Sequence, residues 1–359
     1  MDKERIKEFV STLPLTVVEA MAKIDGHAFD AGLIFIVDDS HSLIGCITDG
    51  DIRRWILKGG GLSDTAEAVM FKNPVSLLVR EKAMAKSVMT EKSITAVPIL
   101  DDNKKIIDIV LLKDISSITP KAKQLRDVSV VIMAGGKGTR LYPYTKILPK
   151  PLIPIGDTPI VERIIDCYVD YGIEEFYMTV NYKKGMLKSY FNDLKATYKV
   201  NFVEENKPLG TGGSIKLIEK QFDKPLFVTN CDALIRADYA DIYNHHIKCG
   251  NDITMVSALK NITVPYGVVN SGENGELLSM EEKPTLSYFI NTGMYVINPA
   301  TIALIPDDTM FHMTHLVEKV MKSGGKVGTY PISEDSFLDM GEFEEMKRME
   351  QKLNIISDK

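Results

Sequence analysis

The chain has 359 residues, 45% hydrophobic and 26% charged, enough for two domains that each bury a core. A formal net charge of −6 disfavours wholesale nucleic-acid binding, so a local basic cluster reads as a site for a small anion. Four scattered cysteines without a C-x-x-C pair suggest neither a disulfide framework nor a zinc site, and neither a signal peptide at the start nor a membrane-length apolar run is visible, so a cytoplasmic protein without membrane contact is expected.

Residues 1–118 hold a weak internal repeat. In the first copy a helical stretch (Val17 to Ile24) precedes a strand at 33–39, LIFIVDD, and then IGCITDGDIRRWI (44–56), a strand running into a helix. In the second, helix-like AMAKSVM (83–89) precedes TAVPILDD (95–102) and KIIDIVLLKDI (105–115). Two copies of one supersecondary unit suggest modules that bury their faces against each other, and Trp55 reads as a core residue of this N-terminal domain. Residues 119–127 lie in a polar stretch with Pro120 and no apolar periodicity, and read as a linker.

From residue 128 to 359 strands alternate with helices. VSVVIMA (128–134) is a strand; 159–172 has helical spacing and ends on Gly172; 174–181, 225–234 and 252–259 are further strands. This alternation predicts an α/β domain with a mixed, mostly parallel sheet, and ligands at the carboxyl ends of its strands.

The first strand runs into MAGGKGTRL (133–141), with LPKP at 148–151. A P-loop fails because Gly138 follows Lys137, and a dinucleotide fingerprint fails because position 141 is leucine. The physical logic of an anion loop remains. Glycines bring backbone N–H groups close to an anion, Thr139 adds a hydroxyl, Arg140 a fork of donors, and Lys150, between two prolines, a point charge. The pattern A-G-G-x-G-T-R-L followed by x-P-K-P resembles the signature of sugar-phosphate nucleotidyltransferases. The resemblance implies a Rossmann-like domain whose loop, Met133, Ala134, Gly135, Gly136, Gly138 and Thr139, wraps a nucleoside triphosphate, with Arg140 and Lys150 as the catalytic cations.

A triphosphate calls for Mg²⁺, which takes one or two carboxylates plus phosphate oxygens. Asp232 closes the apolar strand FVTNCD, and FLDMGE (337–342) resembles the family's W-x-D-x-G with Asp339 as its acid. Residues 204–214, EENKPLGTGGS, resemble the guanylyltransferase branch. Gly210 and Thr211 would then approach the base and Glu205, or its neighbour Glu204, would accept the guanine donors. Tyr266-Gly267-Val268, Glu281-Glu282-Lys283-Pro284 and Asn291-Thr292-Gly293 match the family's sugar side, implying Gly267, Glu282, Lys283, Asn291 and Thr292 as sugar-binding. His245 and His246 read as solvated or packing residues; His312 and His315 share a helical spacing near the implied sugar pocket.

In the N-terminal half, G-x-I-T-x-x-D (Gly45, Ile47, Thr48, Asp51) resembles the ligand motif of CBS domains. The resemblance implies a CBS pair, regulatory or dimerising, that takes a purine nucleotide on Thr48, Asp51 and, in the second copy, Asp114; Leu111 stands where the second threonine is expected. The whole arrangement resembles bacterial guanylyltransferases that activate glucosamine 1-phosphate for legionaminic-acid-type sugars. It implies GTP and a hexosamine 1-phosphate as substrates and a homo-oligomer. A mannose or heptose 1-phosphate enzyme is the alternative within the class, and a non-catalytic nucleotide sensor the alternative outside it.

Overall fold

The computed structural model describes residues 3–25, 31–92, 94–111, 124–341 and 343–353. The chain divides into two compact units, Met1–Thr119 and Pro120–Lys359.

The first unit contains α1 (Lys3–Phe9), β1 (Val10–Thr12), α2 (Val17–Asp25), β2 (Leu33–Val37), β3 (Leu43–Thr48) and α3 (Asp49–Leu57), then β4 (Leu77–Leu78), α4 (Ala85–Lys92), β5 (Ala96–Leu100) and β6 (Ile106–Leu111). The repeat is a repeat of topology. In each copy a short strand pairs parallel with a fully buried one, which pairs antiparallel with a third. Even the register irregularity recurs, between Ile36 and Val37 in one copy and Ile99 and Leu100 in the other. Phe9, Leu33 and Phe35 share one core with Ala96, Ile109 and Leu111, so the modules do cover each other's apolar faces. Trp55 departs from expectation. It is half-buried, its indole N–H donates to the Gly61 carbonyl at 3.3 Å, and Ile52 is the core residue of α3.

The expected linker also ends early. Residues 119–123 lie outside the described residues, but Leu125 is buried in the core of the second unit and its N–H donates to Tyr171 O at 3.1 Å. One leucine in a polar run anchors that run.

The second unit runs β7 (Val130–Ala134), α5 (Tyr144–Ile147), β8 (Pro154–Ile155), β9 (Thr158–Pro159), α6 (Ile160–Val169), β10 (Glu175–Val180), α7 (Lys184–Asp193), β11 (Lys199–Glu204), α8 (Gly210–Gly213), β12 (Leu226–Asn230), β13 (Ala233–Ile235), α9 (Tyr239–Cys249), β14 (Ile253–Thr263), β15 (Val268–Ser271), β16 (Leu277–Glu281), β17 (Thr285–Ile297), α10 (Met313–Lys322), β18 (Val327–Ile332), β19 (Phe337–Asp339) and α11 (Phe343–Lys352). The main sheet has the order β11-β10-β7-β12-β17-β14-β18. Only the two pairings of β17 are antiparallel. The central strand β7 is apolar throughout because both faces are covered: Val130 and Ile132 enter one core, Val131 and Met133 the other.

Strand order reverses at β7, with β10 on one side and β12 on the other. A crevice is expected beyond the carboxyl ends of β7 and β12. Those ends are Ala134, before the glycine loop, and Asn230, before Asp232. Among the described residues no helix is long and apolar enough to cross a membrane.

Candidate active site

The glycine loop is held from below by packing and left open above. A Cβ on Gly135 would lie 2.3 Å from Glu205 Oε1, whereas one on Gly136 would meet nothing within 4 Å. Gly138 has φ +64, and its carbonyl accepts from the Thr145 hydroxyl at 2.9 Å and from Leu141 N–H at 3.0 Å. Each glycine has its own reason. Gly135 admits Glu205, Gly136 faces open space, and Gly138 takes a left-handed turn that a side chain would strain.

Lys150 folds under this loop and is buried, within 3.3 Å of where a Gly138 side chain would begin. Its ammonium pairs with Asp232, the two side chains being 11% and 15% exposed. The strand expected at 225–234 breaks at Cys231-Asp232 into β12 and β13, and the break turns the Asp232 carboxylate toward the loop. β13 then pairs antiparallel with β19, setting Ala233 opposite Asp339, and Met340 N–H donates to Asp232 O at 2.9 Å. A two-strand ladder thus places two acids side by side from positions 107 residues apart in the chain. Burial and then the charge of Asp232 push the Asp339 carboxyl up, while Lys150 and Arg140 pull it down. Arg140 is exposed, and its Nη1 is 3.4 Å from where a Gly341 side chain would begin, beside the Asp339 carboxylate.

Asp232 and Asp339 suit an ion that brings most of its own ligands. The described residues include no cluster of three or more His, Cys, Asp or Glu side chains that could hold a metal. The Asp339 carboxylate, moreover, is destabilised by an adjacent like charge that a cation would relieve. Two carboxylates plus substrate oxygens is the Mg²⁺ pattern, not that of a structural zinc.

The two candidate base-reading glutamates point in opposite directions. Glu204 is exposed and tied to Lys184 and Lys188, which hold its carboxyl down at about 2. Glu205 is 5% exposed and accepts Leu209 N–H at 3.1 Å; burial raises its carboxyl above the ordinary range. The following glycine turn begins its helical path at Gly210 and serves the protein itself. Gly212 and Gly213 both donate to Phe311 O at 2.9 Å, and the Thr211 hydroxyl accepts Met313 N–H at 3.0 Å. A Cβ at Gly210 or Gly213 would come within 2.7 Å of the 309–311 backbone.

That docking brings His312 into the site. A cavity of about 230 Å³ is lined by Met133, Thr211, Asn230, Asn291, Tyr295 and His312, among others. Asn230 and His312 join the expected residues here. The signal for Asn230 was a polar side chain ending a buried strand; His312 arrives through a contact 101 positions away in sequence, which no local pattern carries.

The expected sugar side divides. Asn291 lines the cavity, its amide donating to Tyr295 OH at 2.6 Å and its oxygen accepting Gly293 N–H at 2.9 Å. Thr292 does not line it. The residue is 3% exposed and its hydroxyl donates to Val256 O at 2.8 Å. This is ordinary strand alternation: Asn291, Gly293 and Tyr295 line the cavity while Thr292 and Met294 turn to the other face, even though β17 carries two extra residues against β14 here and Gly293 has φ +81. Gly267 and Glu282 do meet, with a Gly267 Cβ 3.0 Å from Glu282 Oε2. Yet they sit with Lys283 beyond Thr285, six strand residues or roughly 20 Å from Asn291. The structure does not gather them with the cavity.

The histidines at 245–246 are packing residues as expected. His246 is 1% exposed, with its ring nitrogens 2.9 Å from Thr254 Oγ1 and 3.1 Å from Asn298 Oδ1. In the first unit, Thr48 and Asp51 engage each other. The Asp51 N–H donates to Thr48 Oγ1 at 3.1 Å, the Thr48 N–H and hydroxyl donate to Asp51 Oδ2 at 3.0 and 2.6 Å, and Asp51 Oδ1 takes Arg54. This is a capping box at the start of α3. Leu111, at the matching register in the second module, is 1% exposed in the shared core. Asp114 lies outside the described residues.

A doubly wound sheet with a glycine loop and one acid just beyond the carboxyl ends of its central strands, and a second acid brought beside it by β19, defines a nucleotide-binding α/β domain. The chain belongs to the nucleotidyl transferase family, whose model matches residues 129–354; residues 66–119 match the CBS domain model. A mannose-1-phosphate guanyltransferase of Pichia angusta is 36% identical over 186 residues, 49% of this chain and 50% of that protein. A UTP–glucose-1-phosphate uridylyltransferase of Synechocystis sp. is 31% identical over 235 residues, 60% of each. A Bacillus anthracis structure, described as that of a candidate glucose-1-phosphate thymidylyltransferase, shares the fold with TM-score 0.51 at 20% identity, over 65% of this chain and 97% of that one. The chain spans between half and 60% of the length of these curated relatives.

Proposed function

We propose that the protein is a sugar-1-phosphate guanylyltransferase that joins GTP and a hexosamine 1-phosphate, glucosamine 1-phosphate first among them, into a GDP-sugar and diphosphate. The observation that carries this reading is the convergence of Lys150, Asp232, Asp339 and Arg140 around a glycine loop at the end of β7. An oxygen of the sugar phosphate attacks the α-phosphorus in line. The bond to the bridging α,β-oxygen breaks, and diphosphate leaves with that electron pair. No protein nucleophile is needed, so catalysis is positioning and charge neutralisation.

Asp232 and Asp339 would hold the Mg²⁺, which supplies neutralising charge for the triphosphate when bound. Arg140, exposed at the loop's end, donates to the departing diphosphate. Lys150, fixed by its two prolines, directs a point charge to the incoming phosphate. Gly136 leaves room for the triphosphate to approach backbone N–H groups. Glu205, buried beside Gly135, supplies a carboxylate for the paired N1–H and N2–H₂ donors of guanine, while Glu204 faces the lysines of α7. In the first unit, the shared topology of its modules supports reading residues 1–118 as a CBS pair.

A mannose 1-phosphate substrate is the second reading, favoured by the guanyltransferase relatives of that name. Purified full-length chain, Mg²⁺ and each of GTP, ATP, UTP and dTTP should be mixed with glucosamine, mannose and heptose 1-phosphates. GTP with one sugar phosphate should release diphosphate and give the GDP-sugar mass. No diphosphate release with any pair leaves a nucleotide-binding regulator.

A further inference from the structure

Beyond the cavity, β14 and β17 continue past the sheet as a two-stranded ribbon, Leu259–Thr263 against Thr285–Phe289, and the chain between them forms the β15–β16 hairpin. Within the main sheet, β12 covers β17 only at residues 294–297, and β18 covers β14 only at residues 253–258. An isolated two-stranded ribbon is marginal in water. This one is also apolar outside. Ile262, Tyr266, Leu278, Met280, Leu286 and Tyr288 are each between 43% and 74% exposed. Taking about 150–250 Å² for a full aromatic side chain and somewhat less for an aliphatic one, these six side chains show roughly 600–700 Å² of apolar surface. The largest patch on a typical monomer is about 300–600 Å², and a standard interface takes about 800 Å² from each partner.

The two edges of the ribbon differ. On the β14 side, Glu334 covers the backbone, accepting Asn261 N–H at 3.2 Å and its side-chain amide at 3.0 Å. On the β17 side, among the described residues, no strand pairs with residues 285–290. That stretch reads TLSYFI, with no charge and no proline. The outer edge of the main sheet is protected differently: β11 carries Lys199 and Glu204 at its ends. Uncharged, extended edges are what soluble chains avoid unless something pairs with them.

We propose that residues 285–290 pair with the same residues of a second copy of this chain, antiparallel across a two-fold axis, joining the two arms into one ribbon. An edge that pairs with itself is self-complementary, as a closed two-fold interface requires. The flanking apolar side chains supply most of the area such an interface takes from each partner, and the acidic residues Glu273 and Glu276 at the hairpin tip lie at the far end from the paired segment.

The full-length chain should therefore sediment as a dimer or a higher even oligomer. Leu286→Lys combined with Tyr288→Lys should weaken self-association at least about 30-fold, as for a central interface hot spot. Because another interface elsewhere in the chain can keep the mass unchanged, cross-linking decides. Thr285→Cys, Ser287→Cys and Phe289→Cys place a thiol along the paired edge, where facing Cα atoms come within disulfide range. At least one should form a covalent dimer on mild oxidation, while the wild-type chain and Glu273→Cys do not. Failure of all three to cross-link overturns the proposal whatever the mass. So does a monomer whose residue-287 thiol is shielded from a maleimide reagent, since the arm would then be folded onto its own chain.

Discussion

The glycine loop at 135–140 and the motif at 45–51 have the same ingredients: a glycine, a threonine and charge at the end of an apolar strand. Their polar groups end differently. In the loop, Gly136 faces open space and Arg140 stays exposed, while a glutamate and two aspartates close in from distant strands. In the N-terminal motif, Thr48 and Asp51 bond to each other and Arg54 takes the remaining carboxylate oxygen. A motif has the chemistry of a site only when the fold leaves its donors and acceptors without local partners. The sharpest tests of this contrast come from changing single groups on each side of it.

The largest effect is expected at Asp232. Asp232→Asn keeps the shape but offers a neutral amide to the ion and to Lys150. Turnover should fall at least about 100-fold, given that even outer-shell partners of a metal are worth 10–100-fold. Steady-state diphosphate release, with a cooperative thermal melt as the fold control, measures it. Near-normal turnover would remove the acids from the mechanism and erase the contrast between the two motifs.

Next in size is base choice. Glu205→Gln retains an oxygen for Leu209 N–H but loses the second acceptor, so preference for GTP over ATP should drop about 10–100-fold in kcat/KM. Glu204→Gln, whose carboxylate faces Lys184 and Lys188, should leave the preference unchanged. The opposite pattern would reassign the reader to Glu204. Unchanged preference in both would hand base recognition to backbone groups.

Much of this was legible in the sequence, for identifiable reasons. β7 was visible as an apolar run because both its faces are buried, and the acids because each closes a strand beside recognisable neighbours. The opposite orientation of Glu204 and Glu205 follows from strand alternation, although choosing between them needed Gly135. Thr292 was carried over with the Asn-Thr-Gly motif as a block, although strand alternation sets it on the opposite face from Asn291 and Gly293. His312 was weighed only weakly because it reaches the cavity through the 309–313 segment docking on Gly210–Gly213. Leu125 and Trp55 were judged by local polarity and by size, and tertiary packing overrode both. The arm was invisible as an arm. Nothing in YGVV or EEKP says that the strands bearing them run on past the sheet.

A smaller effect concerns stability. Asp339 has its carboxyl raised in the folded state by burial and by Asp232. The folded protein then holds that proton more tightly than the unfolded chain does. Stability is therefore lost as pH rises from the ordinary carboxylate value through the raised one, and regained below it. Asp339→Asn removes the repulsion. Without added metal the variant should melt roughly 2–4 °C higher than the parent at pH 8, the shift that about 1 kcal/mol gives in a domain of this size. The difference should vanish near pH 4, and turnover should be lost at every pH. A lower melting temperature at pH 8 would mean that Asp339 is stabilised by partners and is not strained by Asp232.

The smallest effect lies in the N-terminal motif and bears on the contrast most directly. If Thr48 is a helix cap, Thr48→Ala should cost about 1 kcal/mol of stability in the first unit, within the usual range for a lost cap. Calorimetric titration of the full-length chain with AMP, ADP, ATP, GMP, GDP and GTP should then show no binding that depends on Thr48. Any heat from GTP at the glycine loop should be the same in parent and variant. A Thr48→Ala chain that melts like the parent but loses a purine-nucleotide binding event would show the opposite. The capping box would then open to admit the ligand, Asp51 Oδ2 exchanging the threonine hydroxyl for a ribose hydroxyl, and local satisfaction would no longer separate the two motifs.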